Sequence, residues 1–520
     1  MAMVSNTYQW WQRGIVYQIY PRSFMDSNAD GTGDLPGILS RIDYLAWLGI
    51  DAIWISPIFP SPMADYGYDV SDYTDVHPLF GSLSDLDRLI EAAHARSIRV
   101  LLDYVPNHSS DQHPWFLESR GSRQAARRDW YLWRDPRPDG SPPNNWVSVF
   151  SGSAWTFDQA TGQYYYHAYL KEQPDLNWRN PALRSAMIDV LRFWLDRGID
   201  GFRIDALRQV IKDDQWRDNP PNPDWTGDPN NYRSQIPVHN TDQPEVLDVV
   251  REFRALTDAY AERVLIGELY LPIERLVRYY GDNGNGLHLP FNFHLILTAW
   301  DARAIGALVH AYEAALPPGA WPNWVLGNHD QPRVASRIGA PQARVAAMLL
   351  LTLRGTPTLY QGEEIGMHDV AVPESDRQDP VGRDPERTPM QWDATEYAGF
   401  STAIPWLPLA PDAATVNVES QRDDPRSMLS LYRALIDLRR ASDALAVGSY
   451  RQVHVDDNVL VYDREHGGQR VRIALNLSNA PQALPVALAD GTRILLSTHL
   501  DEPSQPDTLR ANEGRILAWA

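Results

Sequence analysis

The sequence predicts an α/β protein: a closed (β/α)8 barrel with a subdomain inserted after its third strand and a C-terminal antiparallel β-sandwich domain. The first observation is a join that recurs in YLAWLGIDAIWIS, HARSIRVLLDY, WLDRGIDGFRID and the shorter AERVLIGELY. Each places a polar or glycine-containing break before a short apolar strand. Helix, buried strand and loop repeated in this way make a parallel sheet. The second is that the rhythm breaks over residues 109–178. The third is that it stops near residue 446, where apolar and polar residues begin to alternate.

In chain order, strands are expected at 16–20, 52–56, 100–104, 199–205, 264–268, 289–293, 324–326 and 358–360. Ser84 is placed to cap a helix with Leu86, Leu89, Ile90 and Ala93 on one face. Asn180 and Pro181 open another, with Leu183, Met187, Leu191 and Trp194 inward and Gly198 as its stop. The Trp-, Tyr-, Asn- and Pro-rich stretch from 109 to 178 is too long for an ordinary βα loop, so it reads as a subdomain over the barrel mouth. Loops at 213–240 and 367–391 read as walls of a cleft. Beyond them VLVYD, VRIALNLS and TRILLS alternate, and Gly467 with Gly468 suits a hairpin turn. The domains are therefore 1–108 with 179–445 (barrel), 109–178 (insertion) and 446–520 (C-terminal).

Composition narrows the function. A net charge of −20 repels phosphate backbones and anionic membranes, and no Lys/Arg run offsets it. No stretch is apolar enough to span a bilayer, and the N-terminal MAMVSNTYQWW lacks the pattern of a signal peptide. There is no cysteine, which excludes thiolate chemistry and fits a cytoplasmic setting.

The chemistry gathers where strands end in charge. GFRIDA carries Arg203 and Asp205, with Arg208 just beyond. DYVPNH supplies Asp103, the natural partner of Arg203 on the neighbouring strand, and His108, a donor suited to a sugar hydroxyl. GELY places Glu268, and LGNHDQPR places His329 and Asp330, at the same barrel end. Asp205, Glu268 and Asp330 so close together cannot all ionise cheaply. One carboxylate kept ionised beside one kept protonated is what glycosidic cleavage needs.

The ordered set DYVPNH, GFRIDA, GELY and NHD, with QPDLN before the second, resembles the α-amylase family of glycoside hydrolases over nearly the whole chain. It is most similar to bacterial α-glucosidases and α-glucosyl-transfer enzymes acting on short oligosaccharides, the oligo-1,6-glucosidase-like group. The resemblance implies Asp205 as nucleophile, Glu268 as acid/base and Asp330 as the grip on the sugar 2- and 3-hydroxyls, with Arg203, His108 and His329 completing the shell. A retaining geometry implies carboxyls roughly 5–5.5 Å apart. Asp65 and Tyr68 of MADYGYDV match positions that hold the terminal glucose, and Arg387 of RTPMQW matches the partner of that aspartate. A clamp between Asp65 and Arg387 would close the pocket and make the enzyme exo-acting; Phe150 is a further wall candidate.

Linkage cues disagree: Ala206 after the nucleophile resembles α-1,4-selective relatives, QPDLN the oligo-1,6-glucosidases. Ala206 weighs more, because it lies where the second sugar must fit. The expected partners are α-glucoside substrates and sugar or alcohol acceptors, with no cofactor for catalysis. The resemblance also implies a structural Ca²⁺ or Mg²⁺ on the loop DSNADGTGD, through Asp26, Asn28, Asp30, the Thr32 carbonyl and Asp34. Gly37 stands where an EF-hand needs its bidentate Glu, so the loop is not one, and a solvated series of Asx turns is its alternative. Sucrose isomerase and trehalose synthase share the scaffold. A catalytically inactive binding relative is disfavoured because all three carboxylates are present.

Overall fold

A computed structural model describes residues 8–488, 491–503 and 505–519; part of the N-terminal stretch read for a signal peptide, residues 1–7, lies outside them. The expected strands appear as β1 (Val16–Ile19), β2 (Ala52–Ile55), β3 (Arg99–Tyr104), β4 (Gly201–Ile204), β5 (Val264–Leu269), β6 (Leu289–Asn292), β7 (Asn323–Val325) and β8 (Thr356–Tyr360). They pair in parallel in sequence order, and β8 returns to β1 to close the barrel.

The period-two alternation of a strand explains both faces. Val16, Ala52, Trp54, Leu101, Val264, Ile266, Leu289, Phe291 and Val325 point inward and fill the barrel. Their neighbours Tyr17, Ile53, Leu102, Phe202 and Leu265 point outward against the helices. Gly201 is required at the start of β4: its φ is +153° and an added Cβ would lie 2.1 Å from the Val264 carbonyl oxygen.

The helix Pro181–Asp196 begins as expected, with the Asn180 side chain accepting from the Ala182 and Leu183 N–H groups, and Gly198 follows at φ +105°. The helix Leu83–His94 begins earlier than Ser84. Its cap is Ser82, which exchanges hydrogen bonds with Asp85 in a capping box. The apolar face alone could not distinguish two serines, and each has an acid three residues on, Asp85 or Asp87; the extended backbone at Ser82 makes it the cap.

Between β3 and β4, Gln163–Tyr166 is the central strand of a three-stranded antiparallel sheet with Trp133–Arg134 and Trp155–Asp158. Lys212, in the loop after β4, anchors this insertion. Its buried ammonium meets Asp175 in an ion pair and donates to Asn107 Oδ1 at 2.9 Å.

At the C-terminus, five antiparallel strands run in the order Ser449–Val455, Val459–His466, Gln469–Asn476, Gly514–Ala518 and Arg493–Ser497. Gly467 and Gly468, both at positive φ, make the expected hairpin turn. Among the described residues the second layer is the pair Gln482–Ala483 and Thr508–Leu509, so the expected sandwich is one full sheet with a two-stranded cover. The buried Arg439 guanidinium donates to the carbonyls of Leu351, Leu353, Gly355, Leu445 and Ala446, joining this region to the barrel. No helix among the described residues is long and apolar enough to cross a membrane.

Lys212→Met leaves the Asp175 carboxylate buried without its cation. The substitution is expected to lower unfolding free energy by about 3–5 kcal/mol, read from denaturant midpoints. A change within experimental error would show that Lys212 is not the anchor.

Candidate active site

Strand register builds the centre. Asp103 pairs with Arg203, and Ile204 pairs with Gly267, so Asp205 and Glu268 follow at the adjoining ends of β4 and β5. The observed β4 ends at Ile204, one residue short of the expected strand, because Ala206 turns the chain at φ +46°. That turn aims the Ala206 N–H at Glu268 Oε2, 2.7 Å away.

Arg203, fully buried, is shared by three acids. Its Nη1 donates to Asp103 Oδ1 at 2.8 Å and Asp205 Oδ1 at 2.6 Å, while Nη2 lies 3.1 Å from Glu268 Oε2. The indole of Trp54 lies beneath the guanidinium at 5.1 Å and donates to Asp103 Oδ2 at 3.2 Å. Burial holds the Asp103 carboxyl up at about 6 against the pull of Arg203. Burial, then the neighbouring Glu268 carboxylate, push Asp205 well above the usual carboxylate range, and Arg203 only partly opposes them.

Asp330 is the opposite case. Burial would raise its carboxyl, but His329 and the guanidiniums of Arg383, Arg387 and Arg203 hold it far below the usual range. Arg383 Nη1 and Arg387 Nη2 both donate to Asp330 Oδ1 at 3.0 Å. Burial keeps His329 and His108 neutral, each pushed down to about 3. His329 stacks between Tyr20 and Tyr68, with ring centroids 5.6 Å and 5.4 Å away. It accepts from Gln18 at Nδ1 (2.7 Å) and donates from Nε2 to the Tyr68 hydroxyl (2.7 Å), which donates to Asp103 Oδ2 (3.0 Å). The tautomer follows from that chain, since Tyr68 has one proton to give.

The three acids line one cavity of about 520 Å³, with Asp65, Tyr68, His108 and Phe150 also in its wall. Arg203, His329 and Arg387, expected in the substrate shell, are buried behind that lining and bond to Asp205, Tyr68 and Asp330 within it. His108 reaches the cavity, but its Nε2 donates to the Tyr68 carbonyl at 3.1 Å rather than standing free.

The clamp is corrected as well. Asp65 Oδ1 pairs with Arg383 Nη2 at 2.5 Å, whereas Arg387 turns to the His329 carbonyl (2.7 Å) and Asp330. The two arginines stand four residues apart in VGRDPERTPMQW, and which one faces Asp65 is set by the loop's own fold around Asp379. Gln173 was read only as a linkage cue; it is fully buried and donates to Asp65 Oδ2 at 2.9 Å. Tyr169, Tyr232, Arg233, Tyr270 and Leu297 also line the cavity, and nothing in their local sequence marked them.

In the 26–34 loop, Asp26 accepts from the N–H groups of Asn28, Ala29 and Gly31 and from the Ser401 hydroxyl. Asn28 and Asp30 accept from the Asp30 and Thr32 N–H groups, and Asp34 caps the helix Leu35–Ser40. The donor set has the hard oxygens that Ca²⁺ or Mg²⁺ takes. As folded, however, the loop is a series of Asx turns, and no metal-holding group of three acids or histidines forms among the described residues.

Comparison with known proteins agrees with this geometry. The family pattern "Alpha amylase, catalytic domain" matches residues 18–448. A probable alpha-glucosidase of Rhizobium meliloti (strain 1021) is 41% identical over 503 residues, spanning 92% of this chain and 91% of that one. An oligo-1,6-glucosidase of Halalkalibacterium halodurans is 37% identical over 562 residues, spanning 98% of each chain. The crystal structure of an alpha-glucosyl transfer enzyme, XgtA, superposes with a TM-score of 0.93 at 42% identity, covering 99% of this chain and 100% of that one. With the family pattern matched over residues 18–448 and nearly its full length and fold shared with these proteins, the chain belongs to the α-amylase family of glycoside hydrolases.

Proposed function

We propose that the chain is a retaining, exo-acting α-glucosidase that releases α-glucose from short α-glucosides and transfers glucosyl units to sugar or alcohol acceptors. The observation that carries this reading is the placement of Asp205 and Glu268 on one buried guanidinium, lining the same cavity as the ion-paired Asp65, Arg383 and Asp330.

Asp205, ionised against Arg203, attacks the anomeric carbon as Glu268 gives its proton to the departing glycosidic oxygen. A glucosyl ester on Asp205 results, and the aglycone leaves as an alcohol. Glu268, now a carboxylate, takes a proton from water or an acceptor hydroxyl. That oxygen attacks the anomeric carbon from the face the aglycone left, and Asp205 is released. Two inversions return the α configuration. Asp330, kept anionic by two guanidiniums, binds the ring hydroxyls of the sugar and favours positive charge building on the ring. The ion pair of Asp65 and Arg383 faces the non-reducing end, so only a terminal residue enters.

Asp205→Asn is expected to reduce kcat on an aryl α-glucoside by about 10⁴-fold or more while leaving the melting temperature near that of the parent. Early NMR of products from the parent enzyme should show α-glucose first; the β anomer would overturn the mechanism. Arg383→Gln removes a charged hydrogen bond from both Asp65 and Asp330, and kcat/KM should fall by about 10–100-fold.

Ala206 lines the cavity beside Glu268, which supports maltose over isomaltose. Ala206→Val should shift that ratio toward isomaltose. Because a β-branched residue strains a φ of +46°, its melting curve is measured alongside. Equal or reversed rates in the parent would overturn the preference.

A cation on the 26–34 loop is a separate proposal, supported by its oxygen-rich donors and requiring carboxylates to turn from their N–H partners. Chelation should then lower Tm and added Ca²⁺ restore it; identical melting in both overturns it. A cytoplasmic setting goes with the absence of cysteine.

A further inference from the structure

At the closed end of the cavity every guanidinium is paired. Arg383 meets Asp65, Asp330 and Asp379, and Arg387 meets Asp330 and Asp379. The other cations in the wall, Arg208 and Arg233, differ. Neither forms an ion pair with any carboxylate among the described residues, although the chain carries a net charge of −20. Arg208 is fixed by one bond only, from Nη1 to the Tyr270 carbonyl at 2.6 Å, with its guanidinium 5.9 Å from the Tyr270 ring. Beside it in the wall stands Tyr232, whose hydroxyl is buried and has no hydrogen-bond partner in the protein. Arg208 stands three residues beyond the nucleophile and Arg233 next to Tyr232 in sequence, and neither bonds to Asp65, Asp330 or Asp379. Cations without counter-ions beside an unused phenol make a donor set that lacks its acceptor.

Resting on the α-glucosidase reading above, we propose that the leaving-group and acceptor side of this cavity is built for an alcohol bearing an anionic group, a carboxylate or a phosphate ester. Arg208 and Tyr232 donate to the anion's oxygens, and Arg233, exposed at the mouth, draws it in. The acceptor hydroxyl is then presented to Glu268 and attacks the glucosyl ester on Asp205. Its proton passes to Glu268, and the product is an α-glucoside of the anionic alcohol. The role of the two arginines is also to offset the field of Glu268 and Asp205, which would otherwise repel such an acceptor.

The test uses an aryl α-glucoside as donor and compares glycerol, glycerate and glycerol phosphate as acceptors at equal concentration, reading transfer product against free glucose. The expected result is about fivefold more transfer to one or both anions than to glycerol at low salt, with high salt levelling the difference. The better of the two anions identifies whether carboxylate or phosphate is the natural group. In Arg208→Gln the ratio of anionic to neutral transfer should fall toward one. Because each ratio is taken within one enzyme, it is independent of any loss in overall rate. Hydrolysis of the donor with glycerol equal to or better than both anions overturns this inference and leaves the glucosidase reading standing. No turnover of the donor by the parent enzyme overturns the glucosidase reading itself.

Discussion

A single buried guanidinium governs the site. Arg203 has no exposure, and its charge is tolerated only because Asp103, Asp205 and Glu268 surround it. Desolvating one cation against three carboxylates leaves net negative charge in a low-dielectric pocket, and burial with the Glu268 carboxylate beside it pushes the Asp205 carboxyl up. Asp103 is the anchor: it takes hydrogen bonds from Arg203, Trp54 and Tyr68 and does not reach the cavity. Removing it would free Arg203 to swing, and with it the relative position of nucleophile and acid.

The opposite wall solves a different electrostatic problem. Asp330 must stay ionised although buried, and two guanidiniums converge on one of its oxygens. Like charges so close require a counter-ion, and Asp379 provides it by meeting both Arg383 and Arg387. One carboxyl, Asp205, is pushed up and another, Asp330, is held down at the same barrel mouth, so the two sit in opposite electrostatic settings. The neutral, stacked His329 couples the two walls through the Tyr68 hydroxyl without adding a charge of its own.

Much of this was legible in sequence because the barrel repeats one physical unit. Apolar strands ending in charge marked β3, β4, β5 and the acids at their ends, and the Asp103 with Arg203 pairing followed from adjacent strands needing opposite charges. Local chemistry failed where two candidates stood close together. Ser82 rather than Ser84 caps its helix, and Arg383 rather than Arg387 meets Asp65, since in each case neighbours beyond the motif decide. Tyr169, Tyr232 and Leu297 carry no local signature at all, and Gln173 was marked only as part of QPDLN, not as the partner of Asp65.

The sequence by itself determined the barrel and its strand positions, because strand periodicity is a local property of the chain, and through the resemblance of its motifs the family. Only the tertiary structure decided which groups touch the cavity and which brace it from behind. Arg203, His329 and Arg387 lie buried behind the lining and bond to residues in it, while among the described residues Arg208 and Arg233 stand in the wall without an ion pair. The reason is that pairing and solvent access depend on loops from distant parts of the chain meeting at one rim, and no local pattern encodes that meeting.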